Sequence, residues 1–327
     1  MFGLFDHLSH QIHLTFIGVA VLLGIAEAAL LARRRRVPER DDSELAQRIR
    51  TWWVIVISFA ILFGVSRTTA IVFFALVSFL ALKEFLSMVP TRRVDHRVLF
   101  WAYLAIPLQY VWVGSEWYGM FIIFIPVYMF ILLPTRMVMI GETSGFLRAV
   151  GSLQWGLMTT VYSLSHGAML LSIQPPVNPR VAPIWPAGSS QESGGAALLV
   201  FLILLTQFND VAQYCWGRAL GETKIVPKVS PNKTVVGMLG GVCSTTVLAA
   251  AIGPWLTFMD LLRSITAGLI IGVFGFAGDL SVSALKRDLG VKDCGYTLPG
   301  HGGVLDRVDS LTFTAPLFFH FVYYFYG

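Results

Sequence analysis

Apolar runs of roughly bilayer length recur along the chain with little but short polar links between them, and this pattern limits the fold more than any other feature. They lie near residues 11–32, 52–66, 68–89, 98–113, 117–133, 155–173, 196–216, 235–252, 258–277 and 311–326. Crossing a hydrocarbon core of about 30 Å takes roughly 20 apolar residues as an α-helix. Backbone polar groups have no water to bond there, so such runs have to be helical. Composition agrees: 55% of the 327 residues are hydrophobic and 13% charged, against about 25% charged in soluble domains. The fold expected is all-α, a polytopic integral membrane protein of about ten transmembrane helices.

The positive charges orient it. Of the 24 Lys and Arg residues, 20 fall in alternate links, at 33–50, 91–97, 134–154, 217–234 and 278–310. Cytoplasmic links are enriched in such residues, which places the amino terminus outside and both late polar loops in the cytoplasm. The host membrane expected is a bacterial inner or plasma membrane. A net charge of +5 scattered over short links suits anionic lipid and argues against nucleic acid. Arg33–Arg36 follow the first run instead of preceding it, as in an uncleaved anchor. Cys215, Cys243 and Cys294 form no CxxC pair, so they are expected to be reduced and free of zinc. The Pro-, Gly- and Ser-rich stretch 174–195 reads as an outside connection. It separates an amino-terminal scaffold, 1–173, from a catalytic half, 196–327, with cytoplasmic loops 217–234 and 278–310.

Those loops carry the chemistry. If the helix near 258–277 continues, Asp279, Ser283 and Lys286 fall at i, i+4 and i+7 on one face. An ionised Asp is costly at the end of a membrane helix unless paired or metal-bound. The stripe is therefore either an Asp279–Lys286 ion pair or a seat for a divalent cation and a phosphate. Lys292 and Asp293 follow, then His301, Gly302 and Gly303, then Asp306, Arg307 and Asp309. Glycines let backbone N–H groups approach an anion. Asp306 and Asp309, three apart, suit one metal, and Arg307 suits two-pronged phosphate contact. A re-entrant turn with snorkelling charges would leave the joint occurrence of metal-type and phosphate-type residues unexplained.

An earlier block adds Asp210 and Tyr214, four apart and expected to share one polar cavity, and Ser230, Lys233 and Thr234 beside a helix start, a common anion seat. Gly237, Gly240 and Gly241 serve that seat or close helix packing. Glu27, Lys83 and Glu84 either line the cavity or join helices. His7, His10 and His13 are too loosely spaced for a metal site.

The run Ser283-x-Leu285-Lys286-Arg287-x4-Lys292-Asp293-x-Gly295-x2-Leu298-Pro299-x-His301-Gly302-Gly303-Val304-x-Asp306-Arg307-Val308-Asp309 resembles, without a mismatch, the signature of the phosphatidate cytidylyltransferases, or CDP-diacylglycerol synthases. The block Asp210, Tyr214, Gly217, Arg218 and Ser230-Pro231-x-Lys233-Thr234 is similar to the family's other recurring block. The resemblance covers about 196–310. Two departures stand out: Val235-Val236 stands where Trp-Glu is usual, and Gln213 where Ala is.

The resemblance implies transfer of a cytidylyl group from CTP to phosphatidate, with release of pyrophosphate and with Mg2+ as cofactor. It implies Asp279 and Asp306 as metal ligands, with Asp309 and Asp210 as further candidates, and Lys286 and Arg307 on phosphate oxygens. Ser230, Lys233 and Thr234 would meet CTP, and Ser283, Arg287, Lys292, His301, Gly302 and Tyr214 would complete the substrate contacts. The partners are CTP, phosphatidate and the bilayer, with a homodimer left open. A CTP-dependent polyprenol or phytol kinase is the nearest rival, but its hydroxyl acceptor needs a base. A transporter would suit intramembrane Asp210 and Asp279, yet the polarity gathers on one side of the bilayer.

Overall fold

The computed structural model describes residues 8–36, 43–90, 92, 96–175, 191–295 and 302–327. They build ten helical rods: α1 (His10–Arg36), α2 (Ser43–Val65), α3 (Arg67–Met88), α4 (His96–Gly114), α5 (Tyr118–Val138), α6 (146–172), α7 (Gln191–Leu220), α8 (Val235–Leu256), α9 (Leu261–Asp288) and α10 (Leu305–Tyr326). Phe124–Met129 in α5 and Met158–Tyr162 in α6 are wound as π-helix. Outside the helices an antiparallel bridge joins Lys224 to Thr234.

The protein is an integral membrane protein. Helices in α1, α3, α5, α7, α8 and α9, six of the ten expected crossings, are long and apolar enough to span a bilayer. The apolar stretch of α2, Ile49–Leu62, is shorter. Side chains such as Leu22, Val72, Val247 and Leu262 stand more than half exposed on the isolated chain, the surface that lipid covers in a membrane.

Local chemistry sets the boundaries. Ser66, Thr234 and Asp260 each accept a hydrogen bond from the backbone N–H three residues on, capping α3, α8 and α9. Gly290, at φ +70°, stops α9 as a left-handed C-terminal residue does. Helices α7, α8, α9 and α10 pack in sequence, and α10 also lies against α6 and α3. At the heart of this unit the fully buried Asn209 donates to Gly272 O at 3.2 Å and accepts from Thr245 Oγ1 at 3.2 Å, tying three helices together. Gly237 and Gly241 face Gln213 of α7 so closely that a Cβ on either would collide with it. Of their two expected roles, these glycines serve helix packing.

Candidate active site

Four elements meet at one end of the α7–α10 unit: the last turns of α7 and α9, the 221–234 link, and the first turns of α10. The link is held in shape by the Lys224–Thr234 bridge and by Val235 N donating to Thr223 O at 3.0 Å. Arg287 Nε donates to Val229 O at 3.2 Å, fastening the link to the end of α9.

The fold brings most of the expected residues together, in two groups. In the first, Lys233 Nζ lies 2.6 Å from Asp279 Oδ2 and donates to Gln213 Oε1 at 2.9 Å. Ser283 Oγ donates to Asp279 Oδ1 at 3.2 Å, so the predicted i, i+4 stripe on α9 is present. Across from it, Ser310 Oγ donates to both oxygens of Asp210, at 3.2 and 3.3 Å. Asp309 feels the negative charge of both Asp279 and Asp210, while Lys233 and Arg307 act on Asp210 from other sides. Three carboxylates thus influence one another here, with Lys233 paired to Asp279 and Arg307 acting on Asp210.

In the second group the charges are already matched. Lys286 Nζ meets Asp306 Oδ1 at 2.8 Å, and Asp306 Oδ2 accepts from Cys294 N at 2.7 Å and Gly303 N at 3.0 Å. Lys286 therefore pairs with Asp306 and not with Asp279, its expected partner for an ion pair. Burial alone would raise the Asp306 carboxyl, but Lys286 and the two N–H donors outweigh it and hold the group below its ordinary value. Its contribution to stability is present above the ordinary carboxylate range and is lost only as pH falls through that lowered value. Burial pushes the Cys294 thiol up, and Asp306 adds to the effect. Gly302 sits at φ +77°, where a side chain is strained, and a Cβ there would approach Asp306 Oδ2 to 2.8 Å.

Some sequence expectations change. Three amides that close the glycine turn meet the protein's own carboxylates: Gly303 N serves Asp306, and Val304 N and Leu305 N serve Glu84. Tyr214 does not share a cavity with Asp210. It is 63% exposed and its hydroxyl accepts from Arg218 Nη1 at 2.9 Å, because no helix among the described residues covers it. Thr234 is buried, with its Oγ1 engaged as the α8 cap. Lys292 is exposed, Ser230 half-buried, and His301 lies outside the described residues.

Beside the carboxylates, between α2, α3, α7 and α10, is a cavity of about 270 Å³. Its walls are mainly apolar, including Trp52, Phe59, Val77, Leu80 and Val308, and Arg307 belongs to the same lining. A guanidinium beside an apolar chamber offers one site for an anionic head and another for a hydrocarbon tail.

The sequence profile described as the cytidylyltransferase family matches residues 46–325, most of the chain. The chain belongs to the cytidylyltransferase family. It is accordingly a nucleotidyltransferase. Among its relatives, an uncharacterized Escherichia coli K12 protein, YnbB, is 46% identical over 289 residues, 88% of this chain and 91% of that one. The phosphatidate cytidylyltransferase of Staphylococcus aureus strain COL is 39% identical over 126 residues, covering 38% of this chain and 48% of the relative. That of Staphylococcus saprophyticus is 41% identical over 128 residues with the same coverage. The chain thus spans about half the length of the relatives bearing that name.

Gln213, Ser310 and Glu84 take part in the site more than the sequence indicated. Gln213 showed only as a departure from the family pattern, and Ser310 lies one residue past the signature.

Proposed function

We propose that this cytidylyltransferase uses phosphatidate as acceptor, converting it and CTP into CDP-diacylglycerol and pyrophosphate at a site facing the cytoplasm. One observation supports the acceptor class above others: Arg307 lines the apolar cavity and also acts on Asp210 in the carboxylate group. An amphiphile with a phosphate head matches that arrangement, its tail among α2, α3 and α10 and its head beside the guanidinium.

The reaction needs no strong base. A phosphomonoester has its second pKa near about 6, so the acceptor oxygen is already largely ionised at neutral pH. It attacks the α-phosphorus of CTP, a new P–O bond forms, and the bond to the β-phosphate bridging oxygen breaks to release pyrophosphate. The obstacle is the mutual repulsion of two polyanions. In this reading Arg307 holds the acceptor phosphate, while Lys233, positioned by Asp279 and Gln213, and Ser230 beside it meet the triphosphate. Asp306 fixes Lys286 and the turn before α10, leaving the three-carboxylate group as the seat for a cation.

Mg2+ suits that group. It is a hard cation that takes carboxylate oxygens, usually one or two together with substrate phosphates. Among the described residues no three His, Cys, Asp or Glu side chains converge as a ready-made cage. Asp279, Asp309 and Asp210 would hold the ion, which supplies charge neutralisation at the leaving pyrophosphate.

Purified protein incubated with radiolabelled CTP, Mg2+ and phosphatidate should move label into the organic phase as a CMP-bearing lipid, with one pyrophosphate per lipid. Absence of label from that phase, or a phospholipid product with CDP released, would overturn the reading.

A further inference from the structure

Helix α10 begins without a cap of its own. Val304, at the N-cap position, offers no side-chain hydrogen bond, although the first amides of a helix have no partner within it. The acceptor arrives from α3. Glu84 Oε1 accepts from Val304 N at 2.9 Å, and its Oε2 accepts from Leu305 N at 2.8 Å. The Glu84 residue is 7% exposed. The glycines around it leave room for the carboxylate: a Cβ on Gly295 would stand 2.9 Å from Oε1, and one on Gly303 would collide with Oε2. Three successive amides, Gly303 to Leu305, are thus shared between Asp306 and Glu84.

The same helix also walls the cavity. Val77, Leu80 and Glu84 are spaced i, i+3 and i+7, on one face of α3, and Val77 and Leu80 line the chamber that Arg307 enters. A buried carboxylate at the N-terminus of a helix is favourable twice over, by charge-assisted hydrogen bonds and by the helix dipole. Its grip therefore sets where α10 starts relative to α3. The chamber reaches that start: Val304, the N-cap residue itself, and Arg307 both line it.

We infer that Glu84 is a positioning residue for the transfer reaction: it fixes the first turn of α10 against α3 so that Arg307 meets the acceptor phosphate while Asp306 meets Lys286. The catalytic role of Arg307 in this statement rests on the proposed function. Glu84 itself touches neither substrate.

The test compares the parent enzyme with Glu84→Gln, which keeps one acceptor oxygen and loses the charge, and with Gly303→Ala, which keeps the carboxylate but pushes a methyl group against it. In detergent, with phosphatidate and CTP, both variants should lose about tenfold or more in kcat while KM for CTP stays within about twofold, since only positioning is disturbed. Hydrogen exchange over residues 303–308 should quicken in both, independently of any substrate. A kcat within about twofold of the parent, or unchanged exchange at 303–308, would overturn the inference. Should Glu84→Gln fail to fold, Gly303→Ala carries the same two readouts. If the parent itself transferred no cytidylyl group, the proposed function would fall, whereas exchange would still report whether Glu84 holds these amides.

Discussion

Two acidic groups stand within a few helical turns of each other and have opposite fates. Asp306 and Glu84 are saturated: backbone amides and Lys286 take up their oxygens. Asp210 and Asp309 both feel the charge of Asp279, and Asp309 also that of Asp210. The first group spends its charge on holding a turn. The second gathers acid at the point where α7, α9 and α10 meet, with Lys233 as the close cation on Asp279. A carboxylate in a membrane protein is therefore informative only together with its donors, because burial penalises an unmatched charge far more than a matched one.

This contrast is open to direct attack, and the largest effect expected is at Asp279. Asp279→Asn should cut cytidylyl transfer by about a hundredfold or more, while the thermal midpoint in detergent changes little. Asp306→Ala should act mainly on stability, since removing one partner of a buried pair costs about 3–5 kcal/mol; its melting curve and its yield of monodisperse protein are the measurements. A stable Asp306→Ala protein alongside an unfolded Asp279→Asn protein would reverse the two assignments. Lys233→Met, which removes the ammonium shared by Asp279 and Gln213, should raise KM for CTP by about tenfold, a charged hydrogen bond being worth roughly 1.5–3 kcal/mol. Thr234→Ala should cost about 1 kcal/mol of stability through the lost α8 cap, with initial rates nearly unchanged. Smallest of all, Tyr214→Phe should leave kcat/KM within about twofold, because among the described residues its hydroxyl meets Arg218, on an exposed face.

Much of the fold was legible because a bilayer imposes a simple rule on sequence. The run read at 68–89 is α3, Arg67–Met88, and the run at 235–252 opens α8 at Val235. The last helix starts earlier than its apolar run, at Leu305 instead of residue 311, since its first turn is stabilised by side chains from elsewhere and needs no hydrophobicity. The stripe Asp279–Ser283 followed from helical spacing alone and is present. The pairing of Lys286 did not follow, because its partner lies across a loop on another helix. The amides of 303–305, at the end of the glycine turn, meet carboxylates of the protein itself. One of these, Glu84, is 220 residues from Val304, a separation that no periodicity encodes. Tyr214 failed because spacing says which residues share a face of a helix, not whether another helix covers that face.

The reach of Glu84 across the chain also bears on how the molecule is assembled. Helix α3 is translated and inserted long before α10, so during synthesis its acid waits in a half-built bundle without the amides that will receive it. Arrival of the last helix both satisfies that acid and completes the reactive end of the enzyme. A chain without α10 would thus lack both the amides that receive that acid and the Asp306 that holds Lys286.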